Sequence, residues 1–172
     1  MVNMIYLNEQ WVSHPLAKGG NGIVFPISRT HVAKIPLEGS DSCEFLDDEY
    51  QTHRELYEAG LQVPKPEGIF DIRLEGRIAR FFGRENLKRG IVSQRLCGIH
   101  PFGNDLGERL HRLKGSEYNG VQIQQIAMGQ YHDQINRARE LGFRPKDVLF
   151  NCLMDLNETK LYLIDFARWE RA

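Results

Sequence analysis

"ELGFRPKDVLFNCLMDLNETKLYLIDFA", residues 140–167, is the stretch of the sequence that decides the fold. Its glycine, Gly142, predicts the end of a helix, because glycine readily takes the left-handed conformation that closes helices. The runs CLMDL and LYLIDF then predict two strands around the turn NET. Asp147 and Asn151 precede these strands and Asp165 ends them, so three oxygen-bearing side chains accompany one hairpin.

The sequence before this stretch predicts helices. The longest, VQIQQIAMGQYHDQINRARELG, ends at Gly142, and its apolar residues recur at helical spacing. They are Ile123, Ile126, Ala127, Tyr131, Ile135 and Ala138. A shorter helix candidate, DLGERLHRL, lies upstream, and CGIHPFGND before it is typical of a loop that links two parts of a chain.

The first part of the chain predicts mainly strands around a glycine-rich loop. LAKGGNGIVF, residues 16–25, holds three glycines in four positions, and the runs GIVFPI and HVAKIPL predict a hairpin. A helix follows and stops at Gly60. The residues that recur at helical spacing in it are Phe45, Tyr50, His53, Leu56 and Tyr57. With a strand-like piece before the loop, and with DIRLEGRIARFFG and RGIVSQRL, these make five strands and one helix, which favours an α+β protein.

Composition limits the classes of function. The chain has 172 residues and a formal net charge of −1, so neither nucleic acid nor an acidic membrane surface is an expected partner. The three cysteines, Cys43, Cys97 and Cys152, form no C-x-x-C pair and predict neither a disulfide framework nor a zinc site. No apolar run approaches the ~20 residues of a membrane span, and the first residues lack the pattern of a signal peptide. We therefore expect a cytoplasmic protein with reduced thiols.

The order of these motifs resembles the protein-kinase-like phosphotransferase superfamily. The positions that fall on the glycine-loop pattern of the family are Leu16, Gly19, Gly22, Val24 and Phe25. Ala17 replaces the first glycine of that pattern, and Asn21 replaces its aromatic residue. The resemblance implies that Gly19, Gly20 and Gly22 let backbone amides approach the phosphates of ATP.

Lys34 occupies the place of the strand lysine of the family, after Val32 and Ala33 in HVAK. The resemblance implies that Lys34 contacts the α- and β-phosphates of ATP, and that a helix carboxylate holds its side chain in place. Glu49 is the first candidate for that carboxylate, and Glu55 is the second.

The residues around the hairpin resemble the catalytic loop and the metal-binding motif of the family. Asp147 takes the place of the aspartate that accepts the proton of the attacking hydroxyl, and Asn151 and Asp165 take the places of the Mg²⁺ ligands. Three residues rather than four separate Asp147 from Asn151, and alignment on Asn151 puts Lys146 at the base position. Asp147 is preferred, since its distance from Gly142 fits and a loop can absorb a deletion. A lysine at that position would indicate a pseudoenzyme.

GIVSQRL resembles the strand that leads into the adenine-binding segment of the family. The implied backbone contacts to adenine come from Gln94, Arg95 and Leu96, with Ser93 at the back of the pocket. The implied apolar walls around the base are Val24, Ala33 and Leu153.

As a whole, the resemblance implies an α+β, kinase-like fold of two lobes in one domain, residues 1–172. The N-lobe is expected to cover about residues 1–96, and residues 97–172 are expected to form a strongly truncated C-lobe. The sequence after Asp165 holds no activation segment, no A-P-E motif and no further substrate helices. We therefore expect a protein partner or a homodimer to cover the exposed cleft.

Three functions remain open. The first is an ATP- and Mg²⁺-dependent phosphotransferase, an atypical serine/threonine protein kinase with a protein substrate, which acts by positioning and charge neutralisation. The second is a pseudokinase or nucleotide-binding interaction module, which the shortened loop and Ala17 favour. The third is a small-molecule kinase of the aminoglycoside or sugar type, because LQVPKP after the first helix resembles those enzymes as much as protein kinases.

Overall fold

The structure is a computed structural model that describes residues 4–7, 14–76, 78–82, 86–112, 119–145 and 151–172. Within these ranges the chain has a mixed α+β fold with one large sheet and a few helices, none of which is long and apolar enough to cross a membrane. The chain divides into two compact units. Unit 1 consists of Met1–Arg54 and Lys65–Arg95, and unit 2 of Glu55–Pro64 and Leu96–Ala172. The single kinase-like domain with a lobe boundary near residue 96 stays a prediction.

Unit 1 is built on a six-stranded sheet. Its strands are β1 (Met4–Leu7), β2 (Ala17–Lys18), β3 (Gly22–Pro26), β4 (His31–Pro36), β5 (Pro66–Leu74) and β6 (Leu87–Gln94). Their order in the sheet is β1-β5-β6-β4-β3-β2, with β3 and β4 forming the predicted antiparallel hairpin and β1 parallel to β5. The buried apolar cluster of the unit includes Phe25, Ala33, Ile35, Ile72 and Val92.

The strand prediction for DIRLEGRIARFFG was wrong over its second half. Its first residues end β5, whereas Ile78–Phe82 form a 3₁₀ helix. Gly76, with a φ of 63°, turns the chain after β5, so Ile78 and Phe82 pack into the apolar cluster from a helical turn. The single strand-like piece predicted before the glycine-rich loop corresponds to two strands, β1 and β2, so the sheet has six strands in the described part of the chain where five were predicted.

The predicted first helix is found in the structure, but a different side of it is buried. It begins as α1 (Asp41–Glu44), breaks at Phe45 and continues as α2 (Leu46–Glu58). Its buried side chains are Leu46, Glu49, His53 and Leu56. Phe45 and Tyr57, which belong to the predicted apolar face, are 51% and 40% exposed. The buried positions, three and four residues apart, share one side of the helix, and that side includes the carboxylate of Glu49.

Unit 2 contains the predicted long helix and the predicted hairpin. Its elements are α3 (Leu106–Arg112), α4 (Gly120–Glu140), β7 (Phe143–Arg144), β8 (Cys152–Asp155), β9 (Lys160–Leu163) and β10 (Glu170–Arg171). Asn119 and Gln122 form a capping box at the start of α4, and Gly142, with a φ of 84°, follows its end. β8 pairs with β9, and β10 pairs with β7. The core of the unit includes Ile123, Ala127, Ile135, Ala138, Met154, Phe166 and Trp169.

Candidate active site

Lys34 and Glu49 form a buried ion pair in unit 1. Lys34 lies within β4 opposite Val24 of β3, and its side chain is 15% exposed. Its Nζ donates a hydrogen bond of 2.6 Å to Oε1 of Glu49, whose side chain is 3% exposed. Opposite charges are buried at acceptable cost only when they are paired and hydrogen-bonded, as these are. Glu55, the second candidate for the carboxylate, instead forms an ion pair with Arg171 in unit 2.

A second ion pair connects the start of α2 to the sheet. Arg89 of β6 donates two hydrogen bonds to the carboxylate of Asp47, at 3.2 and 3.0 Å, and these raise the pKa of Arg89 above its ordinary value. Both side chains are more than half exposed, so the pair adds little stability by itself. Asp47 lies in the first turn of α2, two residues before Glu49. The sequence gives no signal for this contact, because its partners are 42 residues apart.

The three glycines of the turn between β2 and β3 have different surroundings. A Cβ at Gly22 would lie 2.8 Å from the carbonyl oxygen of Ile35 and 3.4 Å from Cε of Lys34. At Gly19 and Gly20, an added Cβ would meet no atom within 4 Å. Gly22 is therefore required for the packing of β3 against β4, whereas Gly19 and Gly20 leave the turn open to an approaching group.

Asn21, the last residue of the turn before β3, is anchored to the rest of unit 1. The carbonyl oxygen of Asn21 accepts a hydrogen bond of 3.3 Å from the N–H of Leu37, and the Ser40 hydroxyl lies 3.0 Å from the same oxygen. The N–H of Gly19 donates to the carbonyl of Gly22 at 3.0 Å. The turn is thus held at Gly19 and at Asn21, and the amide of Gly19 is used within it.

Strand alternation separates two residues that were predicted to line the adenine pocket together. Val24 is opposite Lys34 in the sheet and lies on the same face, whereas Ala33 lies on the other face, fully buried and opposite Phe25. Ala33 therefore cannot line one surface with Val24. Val32, two positions before Lys34, lies on the face of that lysine. The alternation of side chains along HVAK is the sequence signal that identifies Val32.

The segment that leaves β6 already uses two of its amides. The N–H of Gln94 donates to the carbonyl of Lys65 at 2.9 Å, and the N–H of Arg95 donates to the carbonyl of Thr30 at 2.8 Å. Leu96, which is half-buried, is the next residue and belongs to unit 2. A base along this segment could use the amides of Gln94 and Arg95 only by displacing these bonds.

Gly90 also shapes the surroundings of Lys34, although the sequence had not identified it. A Cβ at Gly90 would lie 2.7 Å from Cδ1 of Ile72 and 2.8 Å from the carbonyl oxygen of Lys34. The missing side chain therefore lets β6 approach the part of β4 that carries the lysine. An isolated glycine within a strand pattern is the signal for such a close approach.

In unit 2, Asn151 and Asp165 lie at the same end of the β8–β9 hairpin. The carbonyl of Asn151 accepts a hydrogen bond of 2.8 Å from the N–H of Ile164, the residue directly before Asp165. Asp165 has a φ of 61°, in the left-handed region that Asp adopts more readily than most residues. A carboxylate and an amide oxygen suit Mg²⁺, which takes few protein ligands and completes its octahedron with water and phosphate oxygens.

Three residues of the predicted site remain, the loop residues Lys146 and Asp147 and the strand residue Leu153. Lys146 and Asp147 lie outside the described residues. Leu153 is half-buried on β8, on the face opposite to the buried Cys152 and Met154. Among the residues that the structure describes, no group of three His, Cys, Asp or Glu side chains could hold a metal ion.

No family model matches the sequence, and no curated protein matches it. Among solved structures, the chain is similar to the crystal structure of a Stt7 homolog from Micromonas algae, soaked with ATP. The TM-score is 0.60 at 17% sequence identity, over 95% of this chain and 51% of that chain. The chain thus spans about half the length of the structure that it matches. At this identity the likeness shows the fold alone, a mixed α+β fold compatible with the kinase-like class.

Proposed function

We propose that the protein is an ATP- and Mg²⁺-dependent phosphotransferase, an atypical serine/threonine protein kinase that acts on a hydroxyl of a protein substrate. The observation that carries this proposal is the buried pair of Lys34 and Glu49, whose charged atoms are 2.6 Å apart. Burial of such a pair gives little or no net stability, so stability alone does not account for it. A lysine held in one orientation by a carboxylate is well suited to neutralise phosphate oxygens.

In this proposal, the nucleotide is bound by Lys34 of β4 and by the glycine turn between β2 and β3. Lys34 contacts the α- and β-phosphates of ATP, and Glu49 orients its side chain. The turn at Gly19 and Gly20, where an added Cβ would meet nothing within 4 Å, lets phosphate oxygens approach the backbone. Val32 takes the place that the sequence had given to Ala33, beside the adenine base. The likeness of the fold to that of a protein soaked with ATP supports this assignment.

The remaining roles in this proposal belong to Asn151, Asp165 and Asp147. Asn151 and Asp165 hold Mg²⁺, which supplies charge neutralisation at the phosphates when it is bound. Asp147 accepts the proton of the acceptor hydroxyl while the hydroxyl oxygen forms a bond to the γ-phosphorus. The bond from the γ-phosphorus to the bridging oxygen breaks, and ADP leaves with that electron pair.

A pseudokinase is the second candidate, in which the protein binds nucleotide and a protein partner but transfers no phosphoryl group. The observation that favours it is the spacing of Asp147 and Asn151, which are separated by three residues instead of the four of the family. Nucleotide binding is common to both candidates, and phosphoryl transfer distinguishes them.

The test combines binding and transfer on the full chain. Calorimetry with ATP and Mg²⁺ is compared for the wild type and Lys34→Met, and we expect at least about tenfold weaker binding by the variant. Label from γ-labelled ATP is then followed onto the protein itself, a generic protein and a panel of sugars and aminoglycosides. The kinase proposal expects label on protein and about a hundredfold less with Asp147→Asn. Binding without transfer favours the pseudokinase, label on the panel alone favours a small-molecule kinase, and absence of binding contradicts all three.

A further inference from the structure

We propose that Gln130 and Gln134 are positioning residues for the end of the β8–β9 hairpin that carries Asn151 and Asp165; this role rests on the function proposed above. Both glutamines belong to α4 and are four residues apart, so their side chains leave the same side of the helix. Gln134 is 8% exposed and Gln130 is half-buried. Buried amide groups need hydrogen-bond partners, and these two find them on the main chain of β9 and of Thr159 directly before it.

The two side chains bind the edge of β9 that faces away from β8. Nε2 of Gln130 donates to the carbonyl of Thr159 at 2.8 Å, and its Oε1 accepts the N–H of Leu161 at 2.7 Å. Nε2 of Gln134 donates to the carbonyl of Leu161 at 2.7 Å. These backbone groups are the ones that a third strand would pair with. The glutamine amides therefore take the place of a neighbouring strand.

Gln62 extends the same network along β9. Its N–H donates to Oε1 of Gln134 at 3.0 Å. The side-chain amide of Gln134 therefore accepts one hydrogen bond and donates another. The carbonyl of Gln62 accepts the N–H of Leu163 at 2.9 Å. The bonds thus reach Leu163, two residues before Asp165. A rigid edge at this point fixes where the chain leaves β9.

The other edge of the hairpin is also bound. Met154 of β8 exchanges two backbone hydrogen bonds with Ile99, at 3.0 and 2.8 Å. Beyond β9, the N–H of Ile164 bonds to the carbonyl of Asn151, and Asp165 follows with its φ of 61°. A non-glycine residue keeps such a conformation only where the surrounding structure holds it. Without the amide network, the backbone that carries the two proposed metal ligands would be held less firmly.

Three substitutions and one control separate this role from general stability. Gln134→Met keeps the length of the side chain and removes both hydrogen bonds, whereas Gln134→Glu keeps the acceptor and removes the donor. Gln130→Met removes the other half of the network at a less buried position, so the test survives if one variant fails to fold. Gln125→Met makes the same substitution at an exposed position of the same helix. Circular dichroism identifies the variants that are folded.

Two measurements are made on each folded full-length variant. Amide hydrogen exchange without metal reports the edge of β9, and water-proton relaxation with ATP reports the affinity for Mn²⁺ as a probe of the metal site. We expect about tenfold faster exchange at Leu161 and Leu163 in both methionine variants, and about tenfold weaker Mn²⁺ binding. Gln134→Glu should lie between these variants and the wild type, and Gln125→Met should equal the wild type.

Each other outcome overturns the inference. Faster exchange with the wild-type affinity for Mn²⁺ would make the network purely structural, and unchanged exchange would mean that it does not hold β9. In both cases a wild type that binds ATP and transfers phosphoryl groups leaves the proposed function standing. A wild type that binds ATP but no Mn²⁺ removes the metal role of Asn151 and Asp165, and the positioning role falls with it.

Discussion

Gly22 lies so close to the main chain of Ile35 that an added Cβ would sit 2.8 Å from the Ile35 carbonyl oxygen. The same atom would lie 3.4 Å from Cε of Lys34. The pairing of β3 with β4 and the path of the Lys34 side chain therefore both depend on the absence of one methyl group. Gly20, in the same turn, has no such neighbour, because an added Cβ would meet nothing within 4 Å.

Gly22→Ala is therefore expected to lower the free energy of unfolding by about 1–3 kcal/mol, since the backbone of β4 must shift to relieve the overlap. Gly20→Ala should change it by less than about 0.5 kcal/mol. Urea denaturation of the two variants beside the wild type measures both effects. Equal denaturation midpoints for the two alanine variants would contradict the close packing at Gly22.

Breaking the Lys34–Glu49 pair from one side leaves the other charge buried without its partner. Lys34→Met and Glu49→Leu are each expected to lower the free energy of unfolding by about 3 kcal/mol or more, and the double variant should recover much of the loss. A double-mutant cycle from denaturation curves gives the coupling between the two positions. Asp47→Asn, which weakens the exposed pair with Arg89, is the control and should cost less than about 1 kcal/mol. Additive losses at Lys34 and Glu49 would show that the pair is not formed.

Substitutions of Asp165 should separate the effect of its backbone conformation on stability from its proposed role as a metal ligand. At a φ of 61°, glycine is less strained than any residue with a Cβ, so Asp165→Gly should be more stable than Asp165→Ala by about 1 kcal/mol. Both variants should lose the proposed metal binding. Asp133 is exposed on α4 and serves as the comparison. There the alanine variant should be more stable than the glycine variant, because alanine favours a helix over glycine by about 1 kcal/mol. Thermal unfolding of the four variants measures both differences, and the same order at both positions would argue against the left-handed conformation of Asp165.

Local patterns allowed much of the fold to be predicted. The length of α4 and its end at Gly142 follow from helical spacing and from the capacity of glycine for a positive φ. The hairpin of β8 and β9 follows from two short apolar runs around a turn. Lys34 and Glu49 were matched through the order of motifs along the chain, and the structure places their side chains in contact.

The remaining features depend on contacts between distant parts of the sequence. The hydrogen bonds between Gln130 and β9, and those between Arg89 and Asp47, join residues about thirty or more positions apart, and no local pattern marks either partner. Ala33 was grouped with Val24 without regard to the alternation of side chains, which puts the two residues on opposite faces of the sheet. The inward side of α2 was misjudged because Phe45 and Tyr57 were placed on it by helical spacing alone, whereas the buried side includes the charged Glu49.

The cysteines give a prediction that is independent of any function. Burial raises the pKa of the Cys152 thiol to about 12, whereas Cys43 and Cys97 are exposed. At pH 8 the native protein should therefore react rapidly with Ellman's reagent at two thiols, and the third should react only as the protein unfolds, at least about a hundredfold more slowly. Cys152→Ser should leave the fast phase unchanged, and Cys43→Ser should remove half of it. Three equally fast thiols would contradict the buried position of Cys152 on β8.

The raised pKa of the Cys152 thiol predicts how the free energy of unfolding changes with pH. The thiol of Cys152 stays protonated in the folded protein up to a pKa of about 12, while in the unfolded chain it ionises near its ordinary value of 9.0. The unfolded state therefore binds fewer protons above that value, so stability should be independent of this group below about pH 9 and should fall as the pH rises further. The slope from one such group is at most about 1.4 kcal/mol per pH unit. Denaturation at pH 8, 9 and 10 should show a smaller loss for Cys152→Ser than for the wild type, and equal losses would contradict the burial of the thiol.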